Sequence, residues 1–594
     1  MTDKLRKAGI RDVLDLALCV PHRYYDYRIK ERIDESEMLF EVTVGAKTKL
    51  ARLTKWSAYA HNISQEIELI FFHLSPYHDK IFTQGAKLYV AGKVQRNYGK
   101  IQLIQPQKIA AYKVGRIFPS YKVPIRGDIF EELKRRYLTR EALLEEGLPE
   151  DIAEAFLTIH YPDEAFYKEF KRHGEFFGKH LEALKFTEAY RYMRGLKIKR
   201  KNLPALCSFQ ADPTPFIASL PFALTKDQRA AIEDIRRDLA KPTAAKRVVV
   251  GDVGSGKSMV MFATAFMAGK RRAILMAPTT ILAAQLFEEA KKYLDIPTVL
   301  VSATNKEEDL ERYDFIIGTH ALLYRTLPKA CVIMVDEQHR FGTEQRNRLK
   351  KLTQEGNKVP HFFQFSATPI PRTQAMMESS LVDFSFIRQT PYKKDITTKI
   401  VSKEDFKDII AHIAREIAQD HQVLIIYPLV EERENYGYKS LEEAARFWQE
   451  HFDGVYVTHG KDKQKDEVLK EFRNKGKILL ATTVVEVGIS LPRLSTILIV
   501  GAENLGLATL HQLRGRVSRT GLKGYCFLYT NDKNNERLQK FAKLTSGFEV
   551  AELDLAYRRS GDIITGKEQS GKAFRFLNMA EDKEIVARAK ALLS

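Results

Sequence analysis

The segment that most constrains this chain is a glycine-rich loop at residues 251–258, between a predicted strand and a predicted helix. Three consecutive valines at 248–250 predict a buried strand, and the run from Met259 to Ala268 predicts a helix. The loop fits the pattern G-x-x-x-x-G-K-[ST], in which backbone N–H groups and a helix N-terminus bind phosphate oxygens. The pattern therefore predicts a nucleotide-binding site in an α/β domain.

The predicted nucleotide contacts lie in this loop and one helix before it. Lys257 is placed to reach the β- and γ-phosphates, and Ser258 is placed to bind Mg²⁺. Upstream, the amide of Gln228 could pair with the edge of adenine while Phe222 lies against the base, which favours ATP over GTP. The predicted ATP-binding residues are Phe222, Gln228, Gly251, Gly254, Gly256, Lys257 and Ser258.

An acidic pair follows a second apolar strand. Residues 331–335 are apolar and end in Asp336 and Glu337. Adjacent carboxylates at a strand end point in different directions, so Asp336 can bind Mg²⁺ while Glu337 activates a water molecule for attack on the γ-phosphate. The alternative is an exposed acidic turn, and the phosphate loop upstream argues against it.

The composition favours a polyanionic partner. The 594 residues include 95 Lys and Arg against 76 Asp and Glu, a net charge of +19, so nucleic acid is expected rather than a membrane surface. The four cysteines are far apart and form no C-x-x-C pair, which predicts neither a zinc site nor a disulfide framework. Without a signal-peptide core or a long apolar run, we expect a soluble cytoplasmic protein.

The N-terminal part of the chain contains short strand patterns. Between residues 39 and 110, alternating apolar residues separated by turn signals are typical of a small closed barrel of the OB type. Such barrels bind nucleic acid through basic grooves and exposed aromatic residues. Phe71 and Tyr98 are the predicted DNA contacts, with Phe72 and Tyr77 as further candidates, although an aromatic residue in a strand more often belongs to the core.

The remainder of the chain reads as helices followed by two α/β lobes. Residues 127–201 predict helices with basic clusters at 134–136 and 191–201, which are either DNA-backbone contacts or solvated charges. Four prolines mark residues 204–221 as a linker. From residue 222 strands and helices alternate, which predicts parallel sheets, with a boundary between two lobes near 391–400.

Small polar loops follow several of these predicted strands. Hydroxyl and N–H groups in such loops contact a phosphodiester backbone without identifying bases. One such loop is an ordinary βα connection, but several together predict a surface that follows a DNA strand. The predicted contacts are Thr279, Thr319, Thr368 and Thr483.

Two arginines in the second lobe are candidates for catalysis. Arg516 and Arg519 are three residues apart, on one face of a predicted helix. From the opposite lobe they could reach the γ-phosphate as arginine fingers, which would couple lobe closure to hydrolysis. The alternative is a pair of ordinary surface arginines.

With these motifs in place, the chain resembles the superfamily 2 helicases and, within them, the RecG family of branch-migration helicases. The resemblance is carried by residues 336–342, 366–372 and 505–516, and by 546–555 with 566–571, which resemble a translocation motif shared with the transcription-repair coupling factor. It implies a multidomain protein, with an N-terminal OB-type β-barrel wedge with helices, two RecA-like α/β lobes and a C-terminal helical hairpin.

The resemblance also implies a domain division and an activity. The division is a wedge at 1–125, a helical linker region at 126–215, an ATP-binding lobe at 216–392, a second lobe at 393–540 and a translocation hairpin at 541–594. The implied activity is ATP- and Mg²⁺-dependent translocation on duplex DNA with 3′–5′ polarity, which reverses stalled forks and migrates Holliday junctions in recombination and repair. Branched duplex DNA is the expected partner of a monomer, and single-stranded DNA-binding protein is a candidate partner.

The sequence departs from the family pattern at three places. Ser490 stands where the family commonly has aspartate, and Ser518 stands where it has glycine. In the translocation loop, Lys567 and Glu568 precede Gln569, the predicted DNA contact, where an arginine is usual. These departures concern the coupling between lobes more than the ATPase.

Three other functions compete with this interpretation. An RNA helicase would lack the wedge and the hairpin, and a coupling factor acting on RNA polymerase would share the hairpin. A basic scaffold with a vestigial motor is the third, but the complete set of predicted catalytic residues argues against it. That set is Lys257, Asp336, Glu337, Arg516 and Arg519.

Overall fold

A computed structural model of the protein describes residues 2–33, 37–50, 52–97, 99–302, 309–337, 341–392, 394–428, 437–460, 462, 464–483, 491–518, 521–565 and 574–593, with only the backbone of 343 and 558–565. The chain divides into two units. The first comprises Met1–Tyr192, Phe574–Asn578 and Glu584–Ser594, and the second comprises Met193–Ala573 and Met579–Lys583.

A closed barrel dominates the first unit and confirms the predicted barrel. Two short helices and one strand precede it: α1 (Asp3–Lys7), α2 (Val13–Leu18) and β1 (Arg23–Asp26). The barrel elements are β2 (Glu37–Lys49), β3 (Thr54–Ala60), β4 (Gln65–Phe71), helix α3 (Pro76–Ile81), β5 (Lys87–Asn97) and β6 (Lys100–Lys108).

The strand order in the barrel is β2-β3-β4-β6-β5, closed by β5 pairing with β2. All neighbours are antiparallel except β4 and β6, which run parallel. Alternation along each strand places one set of side chains inside. Trp56, Phe40 and Phe71 are among the largest side chains buried there.

Helices follow the barrel in the first unit. After strand β7 (Ile117–Ser120), which pairs antiparallel with β1, come α4 (Gly127–Tyr137), α5 (Arg140–Glu145), α6 (Glu150–His160), α7 (Glu164–His173) and α8 (Gly178–Lys199). The boundary between the two units falls within α8.

One residue of the basic cluster at 134–136 is not exposed as its sequence suggests, although Arg135 and Arg136 are. Lys134 is fully buried, donates to the carbonyl of His160 at 3.0 Å and pairs with Glu131 at 2.9 Å. Because an unpaired buried ammonium is strongly unfavourable, this lysine is part of the core and does not contact DNA. In the second predicted cluster, Arg191 pairs with Asp15.

The second unit contains two parallel sheets, each with helices between its strands, as the alternating pattern predicts. The elements of the first lobe are α9 (Thr214–Ser219), α10 (Lys226–Leu239), β8 (Lys246–Gly251), α11 (Lys257–Ala268), β9 (Ala273–Met276), α12 (Thr280–Tyr293), β10 (Thr298–Val301), β11 (Phe315–Gly318), β12 (Val332–Asp336), α13 (Thr343–Thr353), β13 (His361–Ser366), α14 (Arg372–Glu378) and β14 (Asp383–Ile387). Within the described residues the strand order is β10-β11-β9-β12-β13-β8-β14.

The second lobe repeats this architecture. Its elements, with the helices that follow, are β15 (Ile396–Val401), α15 (Phe406–Ala418), β16 (Gln422–Ile426), α16 (Leu441–His451), β17 (Val455–Thr458), α17 (Lys465–Lys475), β18 (Ile478–Ala481), β19 (Leu494–Val500), α18 (Leu507–Arg514), β20 (Gly524–Tyr529), α19 (Glu536–Lys543) and α20 (Gly547–Thr565). Among the described strands the order is β15-β20-β19-β16-β18-β17, all parallel. A last helix, α21 (Lys583–Leu593), ends the described chain.

The cysteine prediction is wrong for one pair. Cys207 and Cys331 form a disulfide with their Cα atoms 5.6 Å apart, although 124 residues separate them. Spacing along the chain does not reveal this contact, because the fold brings the linker to the start of β12. Cys19 and Cys526 are free thiols.

None of the described helices combines the length and the hydropathy needed to cross a lipid bilayer. The domain boundaries given by the family resemblance stay predictions. The predicted translocation hairpin includes 566–573, which lie outside the described residues.

We expect the buried imidazole of His160 to make unfolding sensitive to acid. Its Nε2 donates to the carbonyl of Ala17 at 2.8 Å, and burial lowers its pKa to about 3. Because a histidine in the unfolded chain has a pKa of about 6.5, the folded state loses stability as the pH falls from about 6.5 towards 3. His180 of the same unit, whose burial lowers its pKa to about 4, adds to this slope.

His160→Asn should therefore flatten the dependence of unfolding free energy on pH, by up to about 1.4 kcal/mol per pH unit between pH 6.5 and 4. Denaturant unfolding of the full chain, followed by Trp56 fluorescence in a Trp448→Phe background, measures this slope. The matched control is His173→Asn, because the His173 side chain is 45% exposed. An unchanged slope in His160→Asn would contradict the assignment.

Candidate active site

The phosphate loop connects β8 to α11 and is shaped by two glycines in left-handed conformations. Gly254 has φ +74° and Gly256 has φ +75°, a region that costs other L-residues about 1–2 kcal/mol. A Cβ atom on Gly256 would also clash with Nε2 of Gln228. Val249 and Val250 are fully buried and anchor the strand that leads into the loop.

Gln228 holds this loop from the preceding helix. Its Nε2 donates to the carbonyl of Ser255 at 2.9 Å, and its Oε1 accepts from the N–H of Thr225 at 2.8 Å as part of a capping box. Its side chain is almost completely buried. The hydrogen bonds seen here are thus made to protein groups, and the predicted contact between Gln228 and adenine stays a prediction. Phe222 is 43% exposed and packs edge-to-face against Tyr293.

Lys257 and Ser258 begin α11 at the open side of the loop. Nζ of Lys257 donates to the carbonyls of Gly251 at 2.9 Å and Asp252 at 3.1 Å. The ammonium group therefore lies within the curve of the loop, where the helix N-terminus adds its own partial positive charge. This arrangement is suited to an anionic phosphate group.

Asp336 ends β12, two strands away from β8 on the same edge of the sheet. Its carboxylate is buried, and burial together with the neighbouring Glu337 raises the pKa of Asp336, while Lys257 opposes the rise. Glu337 has φ +48° and turns away, and its Oε2 accepts from the N–H of Ala367 at 3.3 Å. The two carboxylates thus face different partners, as the sequence predicts for adjacent acidic residues at a strand end.

The oxygen atoms near the loop fit Mg²⁺. The hydroxyl of Ser258 and the carboxylate of Asp336 line the same cavity, and both are hard oxygen ligands. Among the described residues, no group of three His, Cys, Asp or Glu side chains could hold a metal ion by itself. One hydroxyl and one carboxylate are what Mg²⁺ needs when nucleotide phosphates and water complete its shell.

The cavity, of about 300 Å³, is lined by both lobes. Arg516 from the second lobe is buried and faces it, so four of the five predicted catalytic residues meet there. The fifth, Arg519, lies outside the described residues. The lining residues with predicted roles are Gly254, Gly256, Lys257, Ser258, Asp336, Glu337 and Arg516.

Several other lining residues have no role predicted from the sequence, among them Tyr392, Lys394 and Ser518. Tyr392 and Lys394 come from the segment between the lobes, and Nζ of Lys394 donates to the carbonyl of Val253. No motif covers this segment, so no sequence signal identified them. Ser518 also lines the cavity, buried and at φ +62°, a backbone conformation that favours the glycine expected here from the family resemblance.

The four predicted DNA-contacting threonines all follow parallel strands at the carboxyl edges of the two sheets. Thr279 caps α12, and Thr319 is buried and caps a short 3₁₀ turn, so its hydroxyl faces protein. Oγ1 of Thr368 accepts from Nε2 of Gln512 at 2.7 Å across the two lobes. Thr483 is half-buried after β18.

The prediction that the side chain of Phe71 contacts DNA is wrong. Phe71 is 1% exposed and packs against Trp56 and Phe82 inside the barrel. Its neighbour Phe72 is 52% exposed and Tyr77 is 60% exposed, because the strand ends at Phe71 and the chain turns outward. Tyr98 and Gln569 lie outside the described residues, and so does Ser490.

Two family models match the second unit. A DEAD/DEAH box helicase model matches residues 225–377, and a helicase conserved C-terminal domain model matches residues 404–521. These ranges contain the phosphate loop and Arg516, respectively.

Curated relatives match almost the whole chain. The chain is 43% identical over 605 residues to the ATP-dependent DNA helicase RecG of Helicobacter pylori, covering 99% of this chain and 97% of that protein. It is 30% identical to the RecG of Aquifex aeolicus, covering 98% of this chain and 80% of that protein.

A solved structure agrees with these relatives. The structure of RecG bound to a three-way DNA junction is 25% identical to this chain, covers 99% of it and 83% of the other chain, and superposes with a TM-score of 0.57. Together, these similarities show that the chain belongs to the RecG family of ATP-dependent DNA helicases.

Proposed function

We propose that this protein is an ATP-driven translocase on double-stranded DNA that remodels branched DNA, reversing stalled replication forks and migrating Holliday junctions. The observation that carries the proposal is the single cavity in which Lys257, Glu337 and Arg516 meet from two lobes. A relative of known structure binds a three-way DNA junction, which supports branched DNA as the substrate.

The residues around the cavity divide the work of ATP hydrolysis. Lys257 neutralises charge on the β- and γ-phosphates, and the loop N–H groups orient them. Glu337 accepts the proton of the attacking water molecule. The N–H of Ala367 holds the Glu337 carboxylate in place. Arg516 stabilises the charge that develops as the terminal phosphate leaves. Mg²⁺ held by Ser258 and Asp336 would supply further charge neutralisation at the phosphates.

Hydrolysis is linked to lobe movement through the loop at 366–369. Ala367 of this loop donates to Glu337, and Thr368 accepts from Gln512 of the second lobe. A change at the catalytic carboxylate therefore reaches the second lobe through two consecutive residues. Such closure and opening around a nucleotide can drive steps along a track.

The track is the carboxyl edge of the two sheets, where the polar loops with Thr279, Thr368 and Thr483 lie. Contacts of this kind hold the backbone of a strand regardless of its sequence. The family resemblance adds two points to this proposal. Movement is in the 3′–5′ direction, and Gln569 contacts the DNA.

The barrel separates the DNA strands. Phe72 and Tyr77 expose large aromatic surfaces within a six-residue stretch after β4. Stacking on an unpaired base stabilises a separated strand by about 1–3 kcal/mol per base.

The proposal also includes single-stranded DNA-binding protein as a partner and a monomeric state of this chain. Sedimentation with and without that protein would test both.

The choice of substrate is tested by ATPase stimulation. We expect forked DNA to stimulate turnover more strongly than single-stranded DNA, and RNA to have little effect. Steady-state phosphate release at matched nucleotide concentrations measures this order. Equal stimulation by all three would contradict a junction-directed motor.

Lys257→Ala should lower ATP turnover by about 10²–10³-fold, because it removes the cation that stabilises the phosphates in the transition state. Binding of forked DNA, measured by fluorescence anisotropy, should stay within about threefold, since the lysine lies inside the nucleotide cavity. Lys270→Ala, at an exposed position just after the end of α11, is the matched control. Turnover retained in Lys257→Ala would refute the site.

Combined replacement of Phe72 and Tyr77 by alanine should lower fork unwinding by about tenfold or more, through loss of base stacking. Duplex-stimulated ATP hydrolysis should be unchanged, because both residues lie in the barrel. Tyr59→Ala is the control, since Tyr59 is 44% exposed on another part of the same barrel. Parallel losses of unwinding and hydrolysis in the double variant would count against a separate strand-splitting surface.

A further inference from the structure

Asp252 occupies an unspecified position of the phosphate-loop pattern, and its carboxylate is bound by the opposite lobe. Oδ1 accepts from Nε2 of His511 in α18 at 2.6 Å, and Oδ2 accepts from the N–H of Gly547, the first residue of α20, at 2.8 Å. Oδ1 also accepts from the N–H of Val253 at 2.6 Å. One side chain of the nucleotide loop therefore holds two separate elements of the second lobe.

Neighbouring groups determine the protonation states of Asp252 and His511. Burial works against the charge on Asp252, but the hydrogen bond from His511, the charges around it and the N–H of Gly547 hold its pKa far below the usual range. Nδ1 of His511 lies 3.1 Å from the guanidinium of Arg514, which can only donate, so Nδ1 accepts and Nε2 carries the proton. Both hydrogen bonds from the second lobe to the carboxylate are then obligatory donor-to-acceptor pairs.

The approach is too close for any side chain at two positions of the second lobe. A Cβ atom on Gly547 would lie 2.7 Å from Nε2 of His511 and 2.8 Å from Oδ1 of Asp252, and one on Gly515 would lie 2.8 Å from Cβ of Val253. Neither glycine has a positive φ, so both are required for space and not for backbone conformation. The tip of the loop is thus clasped between α18 and α20.

The first turns of α20 rest on the first lobe at two further points. Phe548 packs edge-to-face on Phe386, with Arg388 over its ring at 5.5 Å. Oε1 of Glu552 accepts from the N–H of Arg372 at 2.9 Å. A helix of 19 residues is about 28 Å long, so a movement at its first residue is carried to its far end.

We propose that Asp252 is a positioning residue that transmits the state of the phosphate loop directly to α20, through the N–H of Gly547 and through His511. A loop that reshapes around a nucleotide shifts the Asp252 carboxylate, and both donors follow it. This route runs beside the one through Thr368 and Gln512, and it reaches the helix that leads to the predicted translocation loop. The inference rests on the proposed function, because it concerns how hydrolysis is converted into movement along DNA.

The experiment measures translocation per ATP hydrolysed. Displacement of a triplex-forming strand from duplex DNA reports movement, and phosphate release under the same conditions reports turnover. Gly547→Ala places a methyl group in the clasp and touches no residue of the nucleotide cavity. Its matched control is Gly506→Ala, at the N-terminal end of α18, where a Cβ atom meets nothing within 4 Å.

We expect Gly547→Ala to keep DNA-independent ATP turnover within about twofold and to lower triplex displacement per ATP by about tenfold, as expected for loss of coupling between sites. Gly506→Ala should retain the wild-type ratio. Equal losses of turnover and displacement in Gly547→Ala, or an unchanged ratio, would overturn the inference.

Asp252→Asn keeps the inference testable if Gly547→Ala fails to fold by thermal melting. The amide nitrogen of asparagine must face either His511 or Gly547, both of which donate, so one bond is lost without a change in volume. The displacement-to-hydrolysis ratio should again fall about tenfold, and an unchanged ratio would overturn the inference. Failure of the wild-type chain to displace a triplex would instead contradict the proposed translocase itself.

Discussion

The contact between the phosphate loop and the second lobe is the constraint on which the rest of the structure depends. Arg516 lines the cavity beside the loop, and the backbone there approaches so closely that there is no space for a side chain at Gly515 against Val253. The Asp252 carboxylate also holds the second lobe against the loop, because it accepts hydrogen bonds from two elements of that lobe. Packing and hydrogen bonding thus fix how closely the second lobe approaches the phosphate loop.

The parts of the site that local sequence could predict are those encoded within a few residues. The phosphate loop, the acidic pair after β12 and the arginine after α18 each follow a strand or helix that their own neighbours specify. The contact of Asp252 with Gly547 joins residues 295 positions apart, and no local pattern encodes it. The same holds for the Cys207–Cys331 pair and for Lys394, because only the finished fold brings these residues together.

At two positions the residue type does not indicate whether the side chain is exposed. Phe71 and Phe72 are adjacent, yet one fills the barrel and the other is half exposed, because β4 ends at Phe71 and the chain turns outward after it. Lys134 carries a charge but lies in the core, where Glu131 and the carbonyl of His160 compensate for the lost hydration. In both cases the position of the residue in the folded chain decides whether its side chain is buried, and residue type does not.

Ser518 shows how the second lobe maintains the position of its arginine. A serine at φ +62° is strained by about 1–2 kcal/mol relative to a glycine, and the Ser518 side chain is also buried. A Cβ atom on Gly524 would meet Ser518 at 3.2 Å and Val517 at 2.8 Å, so the start of β20 packs tightly against this turn. The strained turn persists because surrounding packing holds it, and it follows Arg516 by two residues. The backbone next to Arg516 is therefore held by β20, the strand that follows the connection carrying His511 and Gly515.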